Sequence, residues 1–431
     1  MKRTLYLALG LLVIVTMVLS ACGAKPTPTA PAPYVAKPSP TPEPTAVPPT
    51  PVPPVKITIW HQWSGDYLTA ITAAFNDYTA AHPNVTIDMT KPDDVTAALK
   101  IAIPAGEGPD ILGWANDQIG SNALIGNIVP LDDYGVDMNF LNSTYEPAAV
   151  KGVVWQSKIW GLPESQEGIA FVYNKALVTD EFLPKDPLNF DDLLAKAKAF
   201  AEKNPGKFLV CNQALGNPDA YHAAPVYFGF GMPGYVDDLG NVYMGSPESI
   251  KAAKWMVEFS KYAPKETSHD LCKGMLVEGK AGAWWTGPWA IADIEKAGIQ
   301  YGIVPMGRPF VGIKALLLSK NAVDRGNQAV AIDIMKYFTS GDVQKKIASV
   351  NKTIPASTAA LKAPEVQALY TLAGFGASLN LGIPMGNTPF ANAQWGPVGD
   401  ATTAVWNGAQ TPEDAMAAAK AAIEKAVSDM K

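Results

Sequence analysis

Val55-Lys56-Ile57-Thr58-Ile59-Trp60 is the stretch on which the fold turns, because a strand here begins an alternating series. Its β-branched residues predict that strand. Residues 67–82 predict a helix ended by Pro83, and Val85-Thr86-Ile87-Asp88-Met89 alternates at period two as a second strand. Residues 93–103 predict another helix, and Pro109-Asp110-Ile111-Leu112-Gly113 a further buried strand. Strands and helices alternating over short connections are the pattern of an α/β domain with a mainly parallel sheet. The same rhythm returns later. Phe190, Leu193, Leu194, Ala197 and Ala201 form a helical stripe with Asn189 as its cap. Phe208-Leu209-Val210 predicts a strand, and Ala252, Trp255, Met256 and Phe259 line one face of a helix, with Trp255 in its core. Residues 281–285 and 301–304 predict strands around a helix over 288–296. Near the end, Thr411-Pro412-Glu413-Asp414 offers a cap, a proline at the first helical position and acids in the first turn. Ala415, Ala418, Ala419, Ala422, Ile423 and Ala426 then keep one apolar face.

The 431 residues suffice for two or three domains. With 48% hydrophobic and 17% charged residues and a net charge of −6, they exclude a disordered chain, a disulfide-dense miniprotein and a basic nucleic-acid binder. Two residue types are unevenly placed. Of 37 prolines, 13 fall in residues 25–54, whereas all 11 tryptophans lie between Trp60 and Trp406. Cys211 and Cys272 are able to pair in an exported chain, but spacing does not establish proximity, and two buried free thiols are the expectation.

Lys2 and Arg3 precede an uncharged stretch over residues 4–24 whose centre is almost wholly apolar, the pattern of a secretory signal. Leu19-Ser20-Ala21-Cys22-Gly23 resembles the lipobox of bacterial lipoproteins, which implies cleavage after residue 21 and lipid on Cys22. Loss of Lys2 and Arg3 would take the charge from −6 to −8. The proline-rich segment that follows cannot form a regular helix and predicts a polyproline tether, reaching at most roughly 90 Å at about 3.1 Å per residue.

Catalytic signatures are scarce. HExxH, P-loop and GxSxG motifs are absent, and His61, His82, His222 and His269 lack metal-ligand spacing, so no metal and no cofactor are expected. Gly229, Gly231 and Gly234 match a dinucleotide loop in spacing, but Pro233 removes a needed N–H. Asp66, Asp117, Glu164 and Glu167 are available as paired carboxylates for glycoside hydrolysis. More telling are aromatics beside polar residues at predicted strand ends. They occur in Trp60-His61-Gln62-Trp63-Ser64-Gly65-Asp66, in Trp114-Ala115-Asn116-Asp117 and in Trp284-Trp285-Thr286-Gly287-Pro288-Trp289. Ligands of open α/β sheets sit beyond the carboxyl ends of strands. Indole faces beside carboxylates and amides suit sugars, whose flat C–H faces are ringed by hydroxyls.

From residue 55 to the end the chain resembles the maltose/maltodextrin-binding proteins, the sugar-capturing components of bacterial ABC importers. Gly106-Glu-Gly-Pro-Asp110-Ile-Leu-Gly-Trp114-Ala-Asn-Asp117 is similar to that family's GDGPDIIFWAHD. Gln166-Glu167-Gly-Ile-Ala-Phe-Val-Tyr173-Asn174-Lys175 is similar to VEALSLIYNK, Thr286-Gly287-Pro288-Trp289-Ala290 to NGPWA, and Pro309-Phe310-Val311-Gly312 to PFVG. Trp395 keeps the spacing of the family's late stacking tryptophan to the final helix. The resemblance implies that Trp114, Asp117, Glu167, Tyr221, Trp289 and Trp395 bind the ligand. Trp63 and Asp66 occupy a more loosely matching loop.

It also implies a two-lobe periplasmic-binding-protein-like fold, hinged and with discontinuous lobes. The expected division is a signal peptide at 1–21 and a lipidated Cys22 with linker at 22–54. Lobe 1 would take 55–165 and 312–363, and lobe 2 would take 166–311 and 364–431. The implied protein is non-enzymatic: a monomeric lipoprotein, exported and held at the cell membrane through Cys22, that delivers an oligosaccharide to the permease subunits of an ABC transporter. No nucleic-acid partner is implied. A surface-anchored glycosidase or glycan-adhesion lipoprotein is the alternative. Departures concern polar contacts. Asp94, Thr96 and Ala97 stand where the family has Lys and two Glu, and Gly396 and Gly399 where it has Tyr and Arg. Maltose, maltodextrin, trehalose and cyclodextrin all stay open as ligands.

Overall fold

The computed structural model describes residues 53–430; the expected signal peptide, Cys22 and the linker up to residue 52 lie outside the described residues. Strand β1 (Val55–His61) buries Ile57 and Ile59 completely. Helix α1 (Gly65–Ala81), strand β2 (Val85–Thr90), helix α2 (Val95–Ala105) and strand β3 (Ile111–Ala115) follow. β1 pairs in parallel with both β2 and β3. α1 buries Tyr67, Ile71, Phe75 and Tyr78, a three-to-four-residue spacing that keeps one face on the sheet. α2 buries Val95, Leu99 and Ile103 and starts two residues later than the sequence predicts. The Asp94 carboxylate accepts the Ala97 N–H at 3.0 Å and so fixes that start.

Further strands are β4 (Val154–Trp155), β5 (Lys158–Ile159), β6 (Gly161–Glu167) and β7 (Ala170–Asn174). Helix α3 (Phe190–Lys203) leads to β8 (Phe208–Cys211), then come α4 (Ala220–Gly229), α5 (Pro247–Phe259) and α6 (His269–Val277). β9 (Ala281–Thr286), β10 (Tyr301–Val304), β11 (Phe310–Leu318), β12 (Ile354–Pro355) and β13 (Ile383–Pro384) precede two closing helices, α7 (Trp395–Trp406) and α8 (Pro412–Asp429). The strands form a seven-stranded sheet, β12-β6-β11-β3-β1-β2 with β13 beside β11, and a four-stranded sheet, β10-β7-β9-β8. β4 and β5 make a separate hairpin.

The expectation of a mainly parallel sheet is corrected. β11 runs antiparallel to β3 and β6, β12 to β6, and β7 to both β9 and β10. The reason lies in the connections. β6 passes to β7, and β10 to β11, over a few residues and into the other sheet, so the direction of these strands is set by where the chain changes sheets and not by a strand–helix–strand crossover within one sheet.

Each sheet has its own core. In the larger one Phe75 and Phe338 stack with ring centres 4.6 Å apart beneath Ile57, Ile59 and Leu316. In the smaller one Phe171, Phe200, Phe228, Trp285 and Trp406 are buried. Trp255 is buried there as well, and its indole N–H donates to the Phe190 carbonyl at 2.9 Å. Asn189 caps α3 as expected, and Thr411 caps α8 by accepting the Asp414 N–H at 3.1 Å. The buried stripe of α8 is Ala415, Met416, Ala419, Ile423 and Val427, which leaves Ala418 and Ala422 exposed, contrary to expectation. The larger side chains set the packed face, and alanine costs little in water.

The Gly106–Asp110 motif is structural. Asp110, 1% exposed, accepts from the Thr58 N–H at 2.8 Å, from Arg325 at 3.1 Å and from Asn327 at 3.0 Å. Arg325 also donates to the carbonyls of Gly106 and Gly108. A Cβ on Gly108 would lie 2.7 Å from the Asn321 side-chain oxygen and closer still to Ile103, so the clasp needs glycine there.

Cys211, at the end of β8, and Cys272, in α6, form a disulfide with Cα atoms 5.3 Å apart. This corrects the expectation of free thiols; the fold brings together residues 61 apart in sequence. A loop of that length stabilises by roughly 4 kcal/mol through the unfolded chain. Replacing both cysteines by alanine is expected to lower the urea midpoint by an amount equivalent to about 2–4 kcal/mol. Reductant should shift the unsubstituted protein similarly and leave the double variant unmoved.

Candidate functional site

A cleft of about 860 Å³ opens where the ends of β1, β3 and β6 face the segments after β8 and β9. Trp63, Trp114, Asp117, Glu167, Tyr221, Trp289 and Trp395 all line it. The side chain of Asp66, the eighth expected residue, lies outside the described ones.

Trp114 stands within β3 opposite Ala315 of β11, half-buried, with Asp117 three residues on. Between them, Asn116 accepts the Ile313 N–H at 2.9 Å and donates to the Met385 carbonyl at 3.0 Å, fixing the turn. Asp117 accepts from the indole N–H of Trp395 at 3.0 Å and from Gln118 at 3.1 Å. Burial pushes its carboxyl up to about 6 despite those hydrogen bonds. The Trp395 ring meets Phe310 edge-on at 5.6 Å, and Phe310 stacks on Tyr221 at 6.0 Å. Trp289 lies 6.3 Å from Tyr221. It sits in the 3-10 turn Pro288–Ala290, which precedes the helix Ile291–Lys296, so the single helix expected over 288–296 is two elements.

Tyr221 enters from the first turn of α4, whose cap Asp219 accepts the His222 N–H at 3.1 Å and lies 2.8 Å from the His222 ring nitrogen. Burial raises the Asp219 carboxyl, but the His222 charge and hydrogen bonds outweigh it and hold the group well below the usual carboxylate range.

Two aromatic expectations change. Trp63 is only 2% exposed, its ring packed against His61, Phe75 and Phe338, so it supports the wall and offers no open face. Trp284 and Trp285 are wholly buried in the smaller sheet, and only Trp289 of that cluster reaches the cleft.

At the cleft floor the β6–β11 register slips. Lys314 pairs with Ser165 but Ala315 with Pro163, leaving Glu164 as a bulge. A bulge re-aims side chains. Here it brings Glu164 to the same side as Glu167, so the Tyr67 hydroxyl reaches Glu164 and Glu167 at 3.1 Å each. Trp63 donates to Glu164 at 3.3 Å, Ser165 to Glu167 at 3.2 Å, and Lys314 lies 2.9 Å from Glu167. One hydroxyl proton cannot serve two carboxylates, so one of them carries its own proton. Burial above all, and the nearby Glu167, push the Glu164 carboxyl up to about 7 against the pull of Lys314. Burial and both carboxylates raise the Tyr67 phenol well above its usual value.

Sequence reasoning missed Tyr67, Lys91, Lys314, Asp219, His269 and Asp293, which also line the cleft. Lys314 did leave a signal, as the single charge in the apolar strand FVGIKALLL. His269 and Asp293 did not, since the disulfide-tied α6 and the Lys273–Asp293 ion pair at 2.5 Å arise only in the fold.

Glu164 binds its proton more tightly folded, about 7, than its ordinary 4.5. Its contribution therefore favours the fold fully below pH 4.5 and fades as pH rises through 7. Glu164→Gln mimics the protonated form. Its melting temperature relative to the unsubstituted protein is expected to rise between pH 4.5 and 7.5; a constant difference would refute the assignment.

Comparison with known proteins fits this architecture. The chain is 28% identical to a maltotriose-binding protein of Pyrococcus abyssi over 356 residues, 80% of this chain and 76% of that one. It is 25% identical to a galactooligosaccharide-binding protein of Bacillus subtilis over 343 residues, 74% of this chain and 77% of the other. Its fold matches the maltose/maltodextrin-binding domain of Bdellovibrio bacteriovorus bound to maltotriose with a TM-score of 0.77, at 22% identity, over 86% of this chain and 99% of that one. The model of the bacterial extracellular solute-binding protein family matches residues 73–374, and the chain is a member of that family.

Proposed function

We propose that the chain captures a maltodextrin-type oligosaccharide in the cleft and presents it to the permease subunits of an ABC importer. The observation that carries this reading is the convergence of Trp114, Tyr221, Trp289 and Trp395, from four separate segments, on one cleft that also holds Asp117 and Glu167. Ring faces cover a sugar's C–H surface while carboxylates accept its hydroxyl protons. The names of the relatives, which bind maltotriose and galactooligosaccharide, support the same ligand class. The glycosidase alternative has less support. Glu164 is occupied by Trp63 and Tyr67, and Glu167 by Lys314, Tyr67 and Ser165, and the family is one of solute binding.

In this reading residues 55–165 with 312–363, and 166–311 with 364–431, are two lobes of a monomer that close on the ligand. Trp63 backs the wall, and Asp66 stands in the first turn of α1. The chain is tethered by lipid on Cys22 and the stalk to residue 54. Among the described residues no helix is long and apolar enough to cross a membrane; in this reading the lipid on Cys22 makes the attachment. Cys22→Ser is expected to move the protein from the membrane fraction to the soluble one on immunoblots of fractionated cells.

Calorimetric titration with maltotriose, trehalose and a galactooligosaccharide tests the ligand class. Saturable binding without released reducing sugar is the expected result, and turnover would overturn it. Trp395→Ala removes a ring face and the donor to Asp117, and is expected to weaken binding by roughly 1–3 kcal/mol. Unchanged affinity would make Trp395 a packing residue only.

A further inference from the structure

We propose that Lys314 reads the ligand at the cleft floor and, with Glu167, selects a neutral oligosaccharide through two adjacent ring hydroxyls. This rests on the oligosaccharide-capture reading and deepens it. Lys314 is the only charged side chain of β11, and a charge buried in an apolar strand persists only when paired. Its side chain is 14% exposed and that of Glu167 4%, with 2.9 Å between ammonium and carboxylate. The ammonium also lies 4.7 Å from the Tyr67 ring centre and 5.7 Å from that of Trp289. Tyr67 comes from α1, Trp289 from the turn after β9 and Glu167 from β6, so groups from three elements hold one cation in place.

An ammonium has three N–H donors. Glu167 takes one, and ring faces attract the charge without consuming a directed hydrogen bond. Because Lys314 still lines the cleft, donors remain for a ligand. A donor and an acceptor this close match a vicinal diol: one hydroxyl oxygen accepts from Lys314 while its neighbour donates to Glu167. In the other polar lining, Asp117, Asp219 and Asp293 accept, Lys91 donates, and Gln62, Ser64 and Asn217 do both, a mixture that suits an uncharged polyol. Thr96, Ala97, Gly396 and Gly399 offer little of the polar contact that the resemblance led one to expect, and Lys314 supplies it from another strand.

Calorimetry with maltotriose and a set of its monodeoxy analogues tests the assignment in the unsubstituted chain, Lys314→Met and Lys314→Gln, with melting curves to establish folding. At least tenfold weaker maltotriose binding is expected in both variants. One monodeoxy analogue should bind the unsubstituted chain about as weakly as it binds the variants, because both changes delete the same hydrogen bond. Maltotriose affinity within twofold in a folded variant overturns the assignment, as does an equal loss for every analogue, which would mark Lys314 as a support for the cleft wall that touches no single hydroxyl. Absence of saturable binding to the unsubstituted chain overturns the oligosaccharide-capture reading itself, and this assignment with it.

Discussion

The antiparallel pairing of β6 and β11 is the constraint on which the molecule depends. Both strands lie inside the larger sheet, and each is joined by a few residues to a strand of the smaller one. The chain therefore changes sheets beside the cleft floor, and Glu167 and Gly312, opposite one another at that crossing, are lining residues by position. The register slip between Lys314 and Ala315 then adds Glu164 to the same cluster. A regular ladder would have sent Glu164 to the opposite face from Ser165 and Glu167, and Tyr67 could not have joined the two carboxylates.

The electrostatics of the floor follow from that slip. Two carboxylates sharing one phenol cannot both remain charged without cost, and since both are equally buried their partners decide which one protonates. Glu164 has indole and phenol partners only, whereas Glu167 has the lysine. The proton consequently favours Glu164, and Glu167 is the carboxylate that pairs with Lys314 and lines the cleft. Lys314 is held by its neighbours before any ligand arrives, so its order costs little at binding; preorganisation of this kind raises affinity without added area.

Much of the fold was legible because it is local. Val55–Met89 alternates as strand, helix and strand, and Asn189 and Thr411 cap their helices as the sequence indicates. Trp114, Asp117, Glu167, Tyr221, Trp289 and Trp395 were legible through a resemblance in motifs, not through periodicity. What stayed hidden is non-local. Strand direction depends on where the chain changes from one sheet to the other, and the Cys211–Cys272 bridge joins elements that only the packed smaller sheet brings together. Trp63 misled for a related reason. Its loop position suggested an open ring, but Gly113 leaves room on β3 for the indole, which sinks into the core.

Tryptophan abundance alone was thus an ambiguous signal. Trp255, Trp285 and Trp406 fill the core of the smaller sheet, and Trp63 that of the larger. Trp114, Trp289 and Trp395 keep partly exposed rings because each sits at a strand end or helix start, where neighbouring side chains cannot cover both faces. The same geometry fixes their polar ends. The indole N–H of Trp395 goes to Asp117, so one contact orients a ring, satisfies a buried carboxylate and ties α7 to the turn after β3. A ligand stacked on that ring would feel both segments at once, which makes the Asp117–Trp395 bond the point where packing and recognition become inseparable.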